Sequence, residues 1–370
     1  MPAGKCGFLH IMLRSDPLTQ FLELVQSNTG EPIPVVEMDR IDLTGSDLRG
    51  KNGIYTLNGE VVAITLRDCR LTSLPDSLGQ LTRLVQIDLT DNRLTSLPES
   101  FGNLINLKKL YLDENGLTAL PPSFGRLSAL EEFHADWNQL TSFPESICRL
   151  PALKRLNLYA NHLDSIPAAL SQLTALAELS VGHNRIESLP EAFWDLTSLH
   201  TLNLAENRLA SIPESIGNLI RLHTLDLGHN VLTSLPESIG KLTGLKYFLY
   251  LSNNHLASLP RSFGNLKDLL YLNLTDNQFA NLPEFIGNLA GLQELRLYNN
   301  QLTDLPEAIG KLTRLKELHL MNNRLVFLPA AFGNLKSLTW LDLRNNRLYP
   351  CPIHWGAFTA LSSWTCGTTN

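Results

Sequence analysis

The sequence predicts an α/β repeat solenoid: a curved, open stack of units with a parallel β-sheet on its concave side and short 3₁₀ or extended turns on its convex side. Three observations predict it. Asparagine closes the pattern LxxLxLxxN at Asn92, Asn115, Asn138, Asn161, Asn184, Asn207, Asn230, Asn254, Asn277, Asn300, Asn323 and Asn346, a step of 23 residues everywhere except the 24 between Asn230 and Asn254. Within each copy, apolar and polar residues alternate as they do on a strand with one buried face. Between copies a second motif returns, as in LTSLPESFGNL, SIPESIGNL and TDLPEAIGKL. Its proline cannot donate to a sheet ladder.

The strand unit follows from that alternation. In LVQIDLTDN, Leu84, Ile87 and Leu89 face inward, and Gln86, Asp88 and Thr90 face outward. Successive strands stack in parallel, roughly 4.8 Å apart. The asparagine stands where the chain leaves the strand, and its side chain satisfies buried backbone groups there. Cys69 holds the same place 23 residues before Asn92, a substitution the pattern accepts. The return segment supplies leucines for the core and a stiff proline backbone, so short turns rather than long helices form the convex side.

Residues 1–60 read as an N-terminal cap made of a helix and a hairpin strand. Asp16 is an N-cap candidate, Pro17 suits a first helical turn, and Leu18, Phe21, Leu22 and Val25 make one apolar stripe. Asn58-Gly59 between two apolar runs predicts a hairpin turn. The segment MDRIDLTGS partly fits the repeat but lacks a following LPxxIG, so it reads as cap. Repeats occupy 61–350. Residues 351–370 keep phase as a partial repeat or cap, with Cys351-Pro352 at the Leu-Pro place, Trp355 and Phe358 next, and Leu361, Trp364 and Cys366 at LxxLxL. That leaves either an aromatic-plugged edge or a boundary within a longer protein.

On these residues the chain resembles intracellular leucine-rich repeat proteins of the 23-residue LPxxIGxL class, a type found in Ras-group scaffolds, bacterial Roco GTPases and bacterial effector-like proteins. The resemblance spans about residues 61–366. It implies a leucine-rich repeat horseshoe acting as a protein-binding module, often joined to a signalling or catalytic domain. No stretch of these 370 residues is left over for such a domain. No binding residue carries over, because binding positions differ between members.

Composition narrows the function. A net charge of -6 with no basic stripe argues against nucleic acid. No stretch has the length of a membrane span. The five cysteines (6, 69, 148, 351 and 366) are scattered and odd in number, which points to a reducing, cytoplasmic location, with a secreted effector as the alternative. Catalytic chemistry finds no footing. In ESIGKLTG, Gly240-Lys241 is followed by Leu242, and Leu235 stands where a phosphate-binding loop needs its first glycine. His183, Glu206 and His229 share one repeat position and could hold a metal loosely, but solvated side chains are the plainer reading. The expectation is no enzyme, no cofactor and no resident metal.

Partner binding is expected on the concave face. The middle repeats offer a low floor of Ser180, Gly182, Ala205 and Gly228. Tyr111, Glu132, His134, Asp136, Trp137 and Tyr159 stand on one side of it, and Tyr247, Tyr250, Tyr271, Arg296, Tyr298, His319 and Trp340 on the other. Six of the eight tyrosines point to this face. Aromatic side chains on a solvated sheet have no core to fill, so a protein or peptide partner explains them. The alternatives are the recognition part of a GTPase or ubiquitin-ligase type enzyme and an extracellular ligand receptor. The extra residue in GLKYFLYLSNN predicts a β-bulge, with either Phe248 or Leu249 in the core. Trp194 replaces the glycine of LPxxIG and either marks a convex contact or folds over a loop.

Overall fold

The computed structural model of the chain describes residues 17–29, 32–38, 51–348 and 363–365. They form one helix, α1 (Pro17–Thr29), and a single sixteen-stranded sheet whose strands follow one another in chain order. β1 (Val35–Glu37) pairs parallel with β2 (Gly53–Leu57), which pairs antiparallel with β3 (Glu60–Thr65). From β3 onward every pair is parallel, through β4 (Gln86–Asp88) and one three-residue strand per repeat to β15 (Trp340–Asp342) and β16 (Ser363–Thr365). The sheet stays open, and the repeats curve around it.

Register places like on like. Leu202, Leu225, Leu249 and Leu272 are successive partners and all fully buried. Each buried leucine contributes roughly 1.5–3 kcal/mol, but only because the next repeat covers it. A single unit cannot bury its own face, so stability is shared between neighbours.

Convex turns are 3₁₀, each opened by a proline. In Glu214–Asn218, Pro213 holds φ at -78° and Leu219 N–H closes on Ile216 O at 3.0 Å. The unpaired N–H groups opening each turn often find a glutamate one repeat back. Glu214 accepts from Glu237 and Ser238 at 3.1 and 2.8 Å, and Glu237 accepts from Arg261 and Ser262 at 3.1 and 3.0 Å. The LPES wording thus links neighbouring turns. Its glycine permits close approach, since a Cβ on Gly102 would lie 2.3 Å from Ser123 O. Trp194, at that glycine's place, is not a convex contact. It is only 1% exposed and packs edge-on against Phe193 at 5.1 Å.

Asparagine side chains tie the concave edge together. Asn230 Oδ1 accepts Leu209 N–H at 2.9 Å, and its Nδ2 faces the carbonyls of Leu204, Leu227 and Gly228 at 3.0–3.1 Å. The same set recurs from Asn92 to Asn346. Cys69 takes part through its backbone N–H, donated to Asn92 Oδ1, while Asn52 bonds Cys69 Sγ and Arg67 O. The residue before each asparagine is left-handed.

At the N-terminal end, Phe21 and Val25 of α1 are fully buried and Leu18 and Leu22 half-buried, and α1 packs beside the 3₁₀ turn Asp76–Gln80. Asn58 and Gly59 turn the β2–β3 hairpin with φ of 52° and 76°. The hairpin does not itself end the sheet. β1, which the sequence did not announce, adds an exposed strand beyond it. Asp16, most of MDRIDLTGS, Cys351 and Cys366 lie outside the described residues. β16 pairs Trp364 with Leu341, in phase with the repeat.

Candidate functional site

Outward strand residues form columns that cross the repeats. One column runs Tyr111, His134, Asn157, Ser180, Asn203, Asp226, Tyr250, Asn273, Arg296 and His319, each paired with the next. Outward does not always mean accessible. Gln86, Asp88, Thr90, Tyr111 and Glu132 are buried, so the accessible face begins further along the sheet.

On the N-terminal side the expected residues divide into two groups. Glu132 is the hub of the first: it accepts from Tyr111 Oη at 3.0 Å and from His134 Nε2 at 3.1 Å, with Arg155 at 3.2 Å. The His134 bond, with help from Tyr111 and Arg155, holds the Glu132 carboxyl at about 2. Asn157 Nδ2 donates to His134 Nδ1 at 3.1 Å, so a neutral ring carries its proton on Nε2. Next to it, burial and the nearby Asp113 charge push Asp136 up to about 6, although Asp136 Oδ1 accepts Tyr159 N–H at 2.7 Å.

The second group gathers Trp137, Tyr159, His183 and Glu206. The three rings lie 5.6–5.9 Å apart, centroid to centroid. Tyr159 Oη reaches two repeats onward to Glu206 Oε1 at 2.8 Å, and His183 Nδ1 meets Glu206 Oε2 at 2.5 Å. Gly182 allows that reach, because a Cβ there would meet the Tyr159 ring at 3.0 Å. Burial first, and then Glu206, raise the Tyr159 hydroxyl to about 12. Trp137 is 57% exposed and holds φ at 55°.

On the C-terminal side the irregular repeat resolves. Leu249 fills the core place, and Phe248, 42% exposed, takes the outward position opposite Thr224 and Tyr271. The extra residue is absorbed at Lys246 and Tyr247. In the neighbouring repeats one carbonyl receives two N–H groups, as His200 O does from His223 and Thr224. Here the work is split: Leu270 N–H goes to Lys246 O and Tyr271 N–H to Tyr247 O, each at 3.0 Å. Two residues therefore oppose one, which is a bulge.

That register corrects the expectation for Tyr247. It stands before the strand, edge-on to His223 at 5.9 Å, in the line His200–His223–Tyr247. Phe248 joins the aromatic group instead, 5.8 Å from Tyr250 and 5.5 Å from Tyr271. Counting six residues back from Asn254, where Thr224 stands before Asn230 and Tyr271 before Asn277, would have found it. Tyr271 is only 9% exposed, with Tyr250 at 5.0 Å and the Arg296 guanidinium at 5.4 Å over its ring. Glu294 fixes Arg296 Nε at 2.6 Å. Tyr298 is half-buried one column over. His319 meets Glu317 at 3.4 Å and the exposed Trp340 ring at 6.4 Å.

Side chains that could converge on one metal ion, among the described residues, are Asp113, His134 and Asp136, and separately Glu294, Glu317 and His319. The set His183, Glu206 and His229 does not converge, because His183 pairs with Glu206 while His229 Nε2 faces Asn253 Nδ2 at 3.1 Å. Among the described residues no helix is long and apolar enough to cross a membrane.

Comparison with known proteins agrees with this architecture. The profile described as leucine rich repeat matches residues 60–117, 105–163 and 151–209, and that described as leucine-rich repeat region matches 192–270 and 258–350. A leucine-rich repeat protein of Leptospira interrogans is similar at 34% identity, with 83% of this chain and 82% of that chain covered and a TM-score of 0.69. An internalin of Listeria monocytogenes is 25% identical over 84% of this chain and 87% of its own, with a TM-score of 0.72. The Arabidopsis receptor kinase HAESA, solved with the peptide hormone IDA and the co-receptor SERK1, is 30% identical over 95% of this chain and 60% of its own, with a TM-score of 0.71. No curated protein sequence matches the chain.

Proposed function

The chain belongs to the leucine-rich repeat family, and from that premise we propose that it holds a protein or peptide partner on its concave sheet and carries out no catalysis of its own. The fold is typically a non-catalytic interaction module. The observation that supports the concave assignment is the set of large side chains on that face which cover no core, foremost Trp137, Phe248 and Trp340. Residues of this type dominate binding energy where they are desolvated by a partner. The buried, unpaired thiols of Cys69 and Cys148 support a reducing, cytoplasmic setting. A second reading, an extracellular receptor for a peptide, is favoured by the similarity to HAESA in its hormone complex.

The test is affinity capture with the wild type, a concave variant (Phe248→Ala, Tyr250→Ala, Trp340→Ala) and a control off the sheet (Val326→Ser, Phe327→Ser). Val326 and Phe327 are also exposed. The concave variant is expected to lose partners that the control retains. The reverse pattern, or equal recovery by all three, contradicts the reading.

A further inference from the structure

The left-handed position before each asparagine is a costly place for most residues, and Asn and Asp tolerate it best. Asp91, Asn253, Asp276, Asn299, Asn322 and Asn345 fit that preference, whereas the middle repeats place Glu114, Trp137, Ala160 and Glu206 there. Trp137 is the furthest departure: bulky, left-handed and 57% exposed. It contributes nothing to the core that would offset the strain, and such outliers gather at ligand-binding sites.

Around it the chemistry is specific. Trp137, Tyr159 and His183 form a triangle of rings 5.6–5.9 Å on a side, and Glu206 is held at its edge by Tyr159 and His183. A cation resting over that triangle would lie about 5 Å from each centroid, within the range of a cation–π contact. Each Glu206 oxygen keeps a lone pair beyond the bond it already accepts, enough for a two-pronged donor. Ala160, Gly182 and Ala205 keep the floor low. Asp136 and Asp226 lie close enough to act on the Tyr159 hydroxyl, and burial raises both carboxyls.

We infer that the hollow between Trp137, Tyr159, His183 and Glu206 binds a guanidinium group, presented as an arginine side chain of the partner. A guanidinium stacks on aromatic faces and takes a carboxylate with two parallel bonds, which an ammonium does not. The inference rests on the concave-face reading and names the group that face recognises. Arg185 and His162 line a cavity that Trp137, His183 and Glu206 share, so an anionic ligand is the competing occupant.

The experiment uses the full chain with ¹⁵N-labelled tryptophan, the Trp137 indole signal being identified by its loss in Trp137→Asn. The probes are Nα-acetyl amides of arginine, citrulline (its neutral isostere), lysine and glutamate. The arginine probe is expected to shift the Trp137 signal with a Kd on the order of 10 mM. Citrulline should bind at least about tenfold more weakly, and lysine more weakly than arginine. Glu206→Gln should weaken arginine about fivefold, and Trp137→Asn, which relieves the backbone, should melt no lower than wild type. Equal shifts from arginine and citrulline, a preference for lysine or glutamate, or no shift at 100 mM arginine (about tenfold the expected Kd) would overturn the assignment. Equal partner capture by wild type and the concave variant, with this titration intact, would sink only the wider reading, and loss of capture by that variant without the arginine shift only this one.

Discussion

At the scale of single residues, the asparagines and the concave acids carry opposite kinds of burden. Asn230 satisfies one buried N–H and faces three carbonyls. Asn230→Ala strands Leu209 N–H, whereas Leu204 O, Leu227 O and Gly228 O keep Asn207 Nδ2, Asn254 Nδ2 and Glu206 N–H. At ~1–3 kcal/mol for one buried group stranded, the loss should be roughly 1–3 kcal/mol by urea denaturation. A loss below about 1 kcal/mol would mean that water or backbone shifts replace the side chain. Asp136 works the other way. Its folded value of about 6 stands above the ~3.9 of an unfolded aspartate. The folded chain therefore binds the extra proton between those values, and this contribution is full below about pH 4 and lost as pH rises through 6. Glu132, held at about 2, has the opposite sign: its contribution is present above the unfolded value of ~4.3 and lost as pH falls through 2. Asp136→Asn keeps an acceptor for Tyr159 N–H, so wild type should lose melting temperature relative to it as pH rises from about 4.5 to 7. A constant difference would refute the burial of that charge.

At the scale of elements, the repeat was legible because its residues do backbone work. Proline before each turn, glycine at the close approach and asparagine at the strand exit each have one conformational reason to recur, and the structure uses them that way. β1 was not legible: Val35–Glu37 is three exposed residues with no repeat to echo. The bulge was half legible. The miscount showed in the sequence, but weighing Leu245 against Leu251 left Phe248 and Leu249 undecided, whereas the fixed distance to Asn254 separates them. If Lys246 and Tyr247 share one residue's place, deleting Lys246 should restore even spacing with Leu249 still in the core. The variant is expected to melt within about 5 °C of wild type or above it. A larger fall would show that the bulge is part of the packing rather than an addition to it.

At the scale of the whole molecule, the sheet converts a short code into a long surface, and partner choice lies in what the code leaves free. Which residues face outward could be read from alternation. Which of them are accessible, and which meet, could not. Tyr111 and Tyr271 are nearly covered, and Tyr159 bonds a residue 47 positions along the chain because Gly182 between them has no side chain. Such meetings depend on rotamers across three repeats, which no local pattern encodes. The central claim is that partners sit on this face. Hydroxyl-radical footprinting of the full chain, alone and bound to a captured partner, tests it most directly. The account predicts protection of Trp137, Phe248, Tyr250 and Trp340, with Ile105, Ile220 and Phe327 off the sheet reacting as before. Protection confined to those three, with the concave residues unchanged, would contradict it.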